Sequence, residues 1–230
     1  MDASDSSVDA ESASTDEYLL SEDEQLDNDM LVDQDYDEKQ DVAIISTDDT
    51  MEEVEQEAKP RADDDEAILK KYLPLQPDLE IESEAQFTWT ISNWKGLPKR
   101  SQGPIFECGK NPFRVLFFPY GNNVDYASFY LEHGFEDDKP PEDWYACVDF
   151  LLVLWNPNDP TIYIPHQAHH RFTQEEGDWG FTRFAELRKI FNSEWEDKGR
   201  PMVENNQANM TAYVRVYKDP TGVLWHNFIK

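Results

Sequence analysis

Phe87-Thr88-Trp89-Thr90-Ile91, running into Ser92-Asn93-Trp94, alternates apolar and polar residues. Such a period of two puts every apolar side chain on one face, as in a strand lying on a core with its other face wet. The segments that follow are built the same way. Ile105 to Cys108 is a short strand candidate, and Phe113 to Phe118 is β-branched and aromatic, ended by Pro119-Tyr120-Gly121. Tyr126 to Leu131 continues in that style, and a polar loop with prolines spans Glu136 to Glu142. Trp144 to Trp155 is the longest run, closed by Asn156-Pro157-Asn158-Asp159-Pro160. Ile162 to Pro165 and Ala168 to Phe172 are expected to flank a further turn, and Met202 to Glu204 is a short strand candidate. Met210 to Tyr217 reads as the closing strand, while Phe184 to Phe191 carries apolar residues at helical spacing. Many short strands between Pro, Asn and Gly turns, with one short helix near the end, predict an all-β fold, an antiparallel β-sandwich.

Charge divides the chain. Its 230 residues carry a net charge of −29, but 28 of the 49 acids and only 5 of the 20 bases lie in residues 1–80, a net of −23. Residues 81–230 hold the remaining −6. No basic face is available to neutralise phosphates, so nucleic acid is not an expected ligand. Residues 1–62 are rich in Asp, Glu and Ser and poor in aromatics. Such a segment buries too little apolar surface to offset its conformational entropy, so a disordered acidic tail is expected. Residues 63–84 read as a short helix, Asp63 to Tyr72, and a linker. Acids fill the first turn of that helix and lysines its last, as the helix dipole favours, and Pro74 and Pro77 end it. The Met1 terminus has no basic segment followed by an apolar run, so it is not a secretory signal. The longest apolar stretch, near Phe150 to Trp155, falls far short of the ~18 residues of a membrane span. A nuclear and cytoplasmic protein without membrane contact is the expectation.

Gly177-Asp178-Trp179-Gly180-Phe181 is the stretch with recognition chemistry. Trp179 supplies an aromatic wall and Asp178 a hydrogen-bond acceptor beside it; the other reading has Trp179 plug the end of a core. Catalytic groups are harder to find. Cys108 and Cys147 are too few for a disulfide framework or a four-cysteine zinc site, and both sit in strand-like apolar surroundings that suit small buried thiols. The sequence has no phosphate loop, no HExxH and no dinucleotide fingerprint, so no cofactor and no metal are expected. Acid pairs such as Glu175-Glu176 lie in turns, where a solvated loop is the simpler reading. No catalytic residues are assigned to this chain.

Phe87 to Trp94, the long strand ending at Trp155, Asp178-Trp179-Gly180-Phe181, the Phe184 segment and the closing Ala212 to Val216 follow one another as in a known family. This ordered set resembles a MATH (TRAF-like) domain over residues 85–218. With the acidic tail before it and Asp219 to Lys230 after it as a connector, it is most similar to the N-terminal substrate-binding domain of the herpesvirus-associated ubiquitin-specific proteases and their fungal counterparts. The resemblance implies a module that binds short extended peptides of the form Pro/Ala-x-x-Ser along a sheet edge. It would make Asp178 the acceptor for the peptide serine and Trp179 the wall for the preceding small residue. The family also uses a basic residue just before the strand that begins near Phe113; Lys110 and Arg114 are both candidates, because Asn111-Pro112 alters the spacing. His169, His170 and Arg171 would lie on the peptide-facing edge, either as a pH-sensitive pair or as solvated edge residues. The resemblance leaves two settings open, the recognition arm of a cysteine deubiquitinase or a free-standing MATH adaptor. In the tail, Val42-Ala43-Ile44-Ile45 followed by Ser46-Thr47-Asp48-Asp49 resembles a SUMO-interacting motif, whose short strand would pair with a sheet edge; an incidental apolar patch is the alternative.

Overall fold

The computed structural model describes residues 65–136, 139–192 and 199–226. The acidic tail and the SUMO-motif candidate, Val42, Ile44 and Ile45, lie outside the described residues. Helix α1 (Asp65–Tyr72) precedes β1 (Ile81–Ile91), β2 (Ser101–Gln102), β3 (Phe106–Cys108), β4 (Asn111–Phe118), β5 (Tyr126–His133), β6 (Ala146–Asn156), β7 (Asp159–Phe172) and β8 (Asp178–Glu186). A one-turn helix α2 (Leu187–Ile190) and the closing strand β9 (Ala208–Tyr217) complete the order. Two antiparallel sheets form the expected sandwich. One has the strand order β1-β9-β6-β7; the other has β2-β4-β5-β8, with β3 also paired to β4.

The alternation read from the sequence builds the core. Phe113, Val115 and Phe117 of β4 and Phe129 and Leu131 of β5 meet Phe150, Leu152 and Leu154 of β6 and Met210, Ala212 and Val214 of β9. Phe117 and Phe129 stack at 4.2 Å between ring centroids, and Trp94 packs edge-on against Phe117 at 4.7 Å. Asn93 makes this possible. It takes left-handed backbone angles (φ 53°, ψ 45°), which asparagine tolerates, and so turns the chain from β1 into a single 3-10 turn, Trp94–Gly96. Trp94 is thereby driven fully into the core.

Every residue of β6 and β9 is buried, because both faces of these central strands are covered. The outer cover is α1 and the strap behind it. Ile68 and Leu73 pack on Leu151, Val153, Trp155 and Tyr213. Full burial of one such aliphatic side chain stabilises by about 1.5–3 kcal/mol. Polar contacts fix the register: Tyr213 donates its hydroxyl to Asp65 (2.6 Å), and Arg215 donates to the Leu73 carbonyl (2.6 Å). At the other end, Arg171 forms a buried ion pair with Asp219 (2.7 Å), and also donates to the Gly222 and Leu224 carbonyls. Its guanidinium lies 3.8 Å from the centroid of the Tyr145 ring, and Trp225 rests against His169. Helix α1 and the segment after β9 are thus both anchored to the β1-β9-β6-β7 sheet.

Four local expectations are corrected. Phe184 lies on β8, and the helix begins only at Leu187. Ala185 and Glu186 still pair with β5, and a bulge precedes them: Ala127 pairs with Ala185 and Phe129 with Phe181, so residues 182–184 stand opposite Ser128 alone. A bulge lets Phe181 and Phe184 face the same side despite their spacing of three. Second, Ile162 to Phe172 contains no turn; β7 runs through Pro165, which an edge strand accommodates because one side of its ladder is unpaired. Third, Met202 to Glu204 is not a strand. Glu204 and Gln207 form an isolated bridge around Asn205 and Asn206, both at positive φ (52° and 65°), the geometry of a tight hairpin turn. Last, β1 starts at Ile81, inside the stretch read as linker.

Candidate functional site

Strands β7 and β8 are the edges of their respective sheets and lie side by side. The alternation along β7 decides what each edge presents. Ile162, Ala168 and Phe172 join the core. His166 and His170, in the same phase, therefore face inward as well. Tyr163, Gln167, His169 and Arg171 face the opposite way, toward α1, Asp149, Trp225 and Asp219 respectively.

Asp178 and Trp179 open β8, and both are half-buried. Trp179 packs against the core and lies flat on the His170 ring, with 4.2 Å between centroids and 1° between planes. Gly180 follows because only glycine fits: a Cβ at this position would collide with the Phe129 carbonyl and the Tyr130 backbone. Phe181 joins the core.

On the outer face of the sheet, Arg114, Glu132 and Asp178 form one cross-strand row through the pairings Arg114↔Glu132 and Glu132↔Asp178. Side chains so placed interact directly. Glu132 is almost fully buried, and three donors converge on it: Arg114 Nε at 2.6 Å, Gln102 Nε2 at 2.7 Å and Arg100 Nη2 at 2.9 Å. Buried carboxylates persist only when paired in this way. The next position in from that row, Leu116, Tyr130 and Phe118, is a small apolar cluster, and the Tyr130 hydroxyl shares a hydrogen bond with Thr182 (2.7 Å).

Both inward histidines are held neutral. Burial, and next the neighbouring His169, push His170 down to about 4, against an opposing contribution from the Glu176 backbone. Its Nε2 lies 3.6 Å from Glu176 Oε2, just beyond hydrogen-bonding distance. Burial likewise lowers the pKa of His166, partly offset by its bond to the Phe184 carbonyl. Cys108 and Cys147 are both buried and unpaired. Burial pushes the Cys147 thiol up to about 11 although Arg171 stands beside it, so it is no nucleophile at neutral pH.

Of the residues named from sequence, the fold stacks Trp179 on His170 at the inner face and puts Asp178 on the outer face, in the same cross-strand row as Arg114. His170 is not a solvated edge residue but a buried partner of Trp179; its phase with Ala168 and Phe172 was the signal. Lys110 goes elsewhere, exposed at the β3–β4 turn and paired with Glu82 at 3.1 Å. His169 is exposed on the opposite side of β7, under Trp225. Glu132 and His166 were not singled out by sequence. His166 shared the same phase clue, whereas nothing local marks Glu132, whose partners come from β2, β4 and the loop before β2.

Residues 86–197 match the family model described as "MATH domain". Ubiquitin carboxyl-terminal hydrolase 5 of Schizosaccharomyces pombe is 40% identical over 66% of this chain and 14% of its own length. Ubiquitin carboxyl-terminal hydrolase 15 of the same organism is 36% identical over 82% of this chain and 19% of its own. The Saccharomyces cerevisiae ubiquitin carboxyl-terminal hydrolase 15 is 40% identical over 67% and 14%. The chain thus spans less than a fifth of the length of these relatives. Among solved structures, Notothenia coriiceps TRAF5 aligns with a TM-score of 0.41 at 16% identity, over 58% of this chain and 73% of that one.

Proposed function

Residues 86–197 are a MATH domain, and from that premise we propose that this chain is the substrate-recognition region of a cysteine deubiquitinase, holding short extended Pro/Ala-x-x-Ser peptides along the edge of β8. The observation that carries the proposal is that Asp178, Trp179 and Gly180 open an edge strand. Main-chain groups for strand addition and side chains for selection therefore occupy one place. Strand addition gives affinity with little sequence preference, and the flanking side chains give specificity.

Asp178 accepts a hydrogen bond from the hydroxyl of the peptide serine. Trp179, fixed in orientation by His170, is the wall against which the small residue packs. Glu132, with its arginines, sets the field around Asp178 from the neighbouring strand. A hydrogen bond to a charged acceptor is worth about 1.5–3 kcal/mol. Replacing the peptide serine by alanine is therefore expected to weaken binding roughly 10- to 100-fold in a calorimetric titration of the whole chain. Equal affinities for the two peptides would overturn the role of Asp178. The attached enzyme is tested on the coding sequence downstream of Lys230: cysteine and histidine protease blocks support it, and a stop codon leaves a free-standing adaptor.

A further inference from the structure

β8 is an edge strand, but its outer side changes character along its length. The His133 N–H donates to the Gly177 carbonyl at 3.0 Å. By antiparallel alternation, the main-chain groups of Gly177, Trp179 and Phe181 then face β5, and those of Asp178 and Gly180 face away from it. Past Phe181 the bulge interrupts this pattern. The Thr182 carbonyl accepts a hydrogen bond from Ser128 Oγ at 2.6 Å, so it is turned back into its own sheet. The Phe184 carbonyl is turned outward, and His166 Nε2 on β7 meets it at 3.0 Å. A carbonyl only accepts, so Nε2 carries the proton. The imidazole is held there by its packing, 4.4 Å from the Phe184 ring centroid and 5.0 Å from that of Phe181.

We propose that His166 is a specificity-determining residue that ends the peptide-binding edge of β8: by occupying the Phe184 carbonyl, it confines main-chain pairing of a bound peptide to the segment Asp178–Phe181. The inference rests on the peptide-binding reading of this edge and adds its length and its stop. A longer strand would have to displace the imidazole before it could reach the Phe184 carbonyl. Bulges and covered main-chain groups are two means by which proteins prevent unlimited pairing at a sheet edge, and β8 combines them. The peptides taken by this site are accordingly short extended segments whose flanks leave the sheet unpaired. Selection then falls on the few residues above Asp178 to Phe181.

The test uses the full 230-residue chain and synthetic peptides with a Pro-x-x-Ser core, lengthened by two or four threonines on the N-terminal side in one series and on the C-terminal side in the other. With the wild-type chain, dissociation constants in both series stay within about twofold of the core peptide, since no main-chain bond is added. With His166→Ala, the series that runs toward Phe184 gains about fivefold, the worth of one ordinary added hydrogen bond, while the core peptide is unchanged. His166→Val keeps an apolar β-branched side chain on the strand but is too short to reach the Phe184 carbonyl, gives the same gain, and serves if the alanine variant does not fold. Steady strengthening with length in the wild-type series that runs toward Phe184, or no gain in either series with both variants, overturns the stop. Failure of the core peptide to bind at all overturns the peptide reading itself, and the stop with it.

Discussion

The outer faces of the two sheets are used in opposite ways. On the β1-β9-β6-β7 sheet the outer face is covered by parts of the chain from outside the sandwich: α1 lies on Leu151, Val153, Trp155 and Tyr213, and the segment after β9 is tied down by Arg171. On the β2-β4-β5-β8 sheet the buried outer apolar cluster comes from the sheet's own strands, and beside it runs the polar row Arg114, Glu132 and Asp178. One face holds α1 and the segment after β9, and the other keeps charged groups fixed beside an edge. The difference teaches that stability and recognition are separable here. Changes on the first face are expected to alter folding without altering peptide affinity, and changes at the second to do the reverse.

The largest effect should come from the buried ion pair under the C-terminal segment. Asp219→Ala leaves Arg171 buried with its charge uncompensated, which typically costs about 3–5 kcal/mol. Denaturant unfolding should show that loss, while the remaining folded protein binds the serine peptide with unchanged affinity; a parallel fall in affinity would break the separation. Leu73→Ala, under the strap, should cost about 2–4 kcal/mol in the same assay with the same indifference of binding.

His170 provides a pH test. Its folded pKa of about 4 lies below the ordinary histidine value near 6.5, so the unfolded chain takes up the proton first. Its contribution is therefore complete above about pH 6.5, falls as the pH drops toward 4, and changes no further below that, a total of about 3 kcal/mol. His170→Phe retains a ring against Trp179 and should remove that share of the pH dependence. Unfolding midpoints between pH 7 and 4 compare the two proteins, and identical slopes would sink the assignment.

The smallest effect is expected at Lys110. Its pair with Glu82 is largely exposed, and Lys110→Ala should shift stability by less than about 1 kcal/mol and leave binding unchanged. A large loss of peptide affinity would instead place the family's basic contact at Lys110 rather than on the Arg114 row.

How much was legible in advance follows from the range of each signal. Phe87 to Ile91 and Phe113 to Phe118 could be read because alternation is imposed by one sheet face at a time. The helix expected over Phe184 to Phe191 forms only as the turn Leu187–Ile190, because Ala185 and Glu186 are still paired with β5, and that pairing is not visible in the local spacing. The break assigned within β7 failed because Pro165 interrupts an inner strand but not an edge strand, and edge position is a property of the whole sheet. Asp178 and Trp179 stand out as a carboxylate beside an aromatic, but the recognition role expected of them rests on the family resemblance. Glu132 does not stand out, since its meaning comes from Arg100, Gln102 and Arg114 reaching it from elsewhere.

By itself the sequence determined the sandwich, its strand chemistry, the separation of an acidic tail from a nearly neutral domain, and the pairing of an aromatic with a carboxylate at Asp178-Trp179. These are local or compositional properties, set by side-chain period and charge. Only the tertiary structure decided that β8 is an edge, that His170 is a buried neutral partner of Trp179 while His169 faces away, and that His166 caps the Phe184 carbonyl. Those outcomes depend on strand order and register, which bring residues distant in sequence within hydrogen-bonding distance.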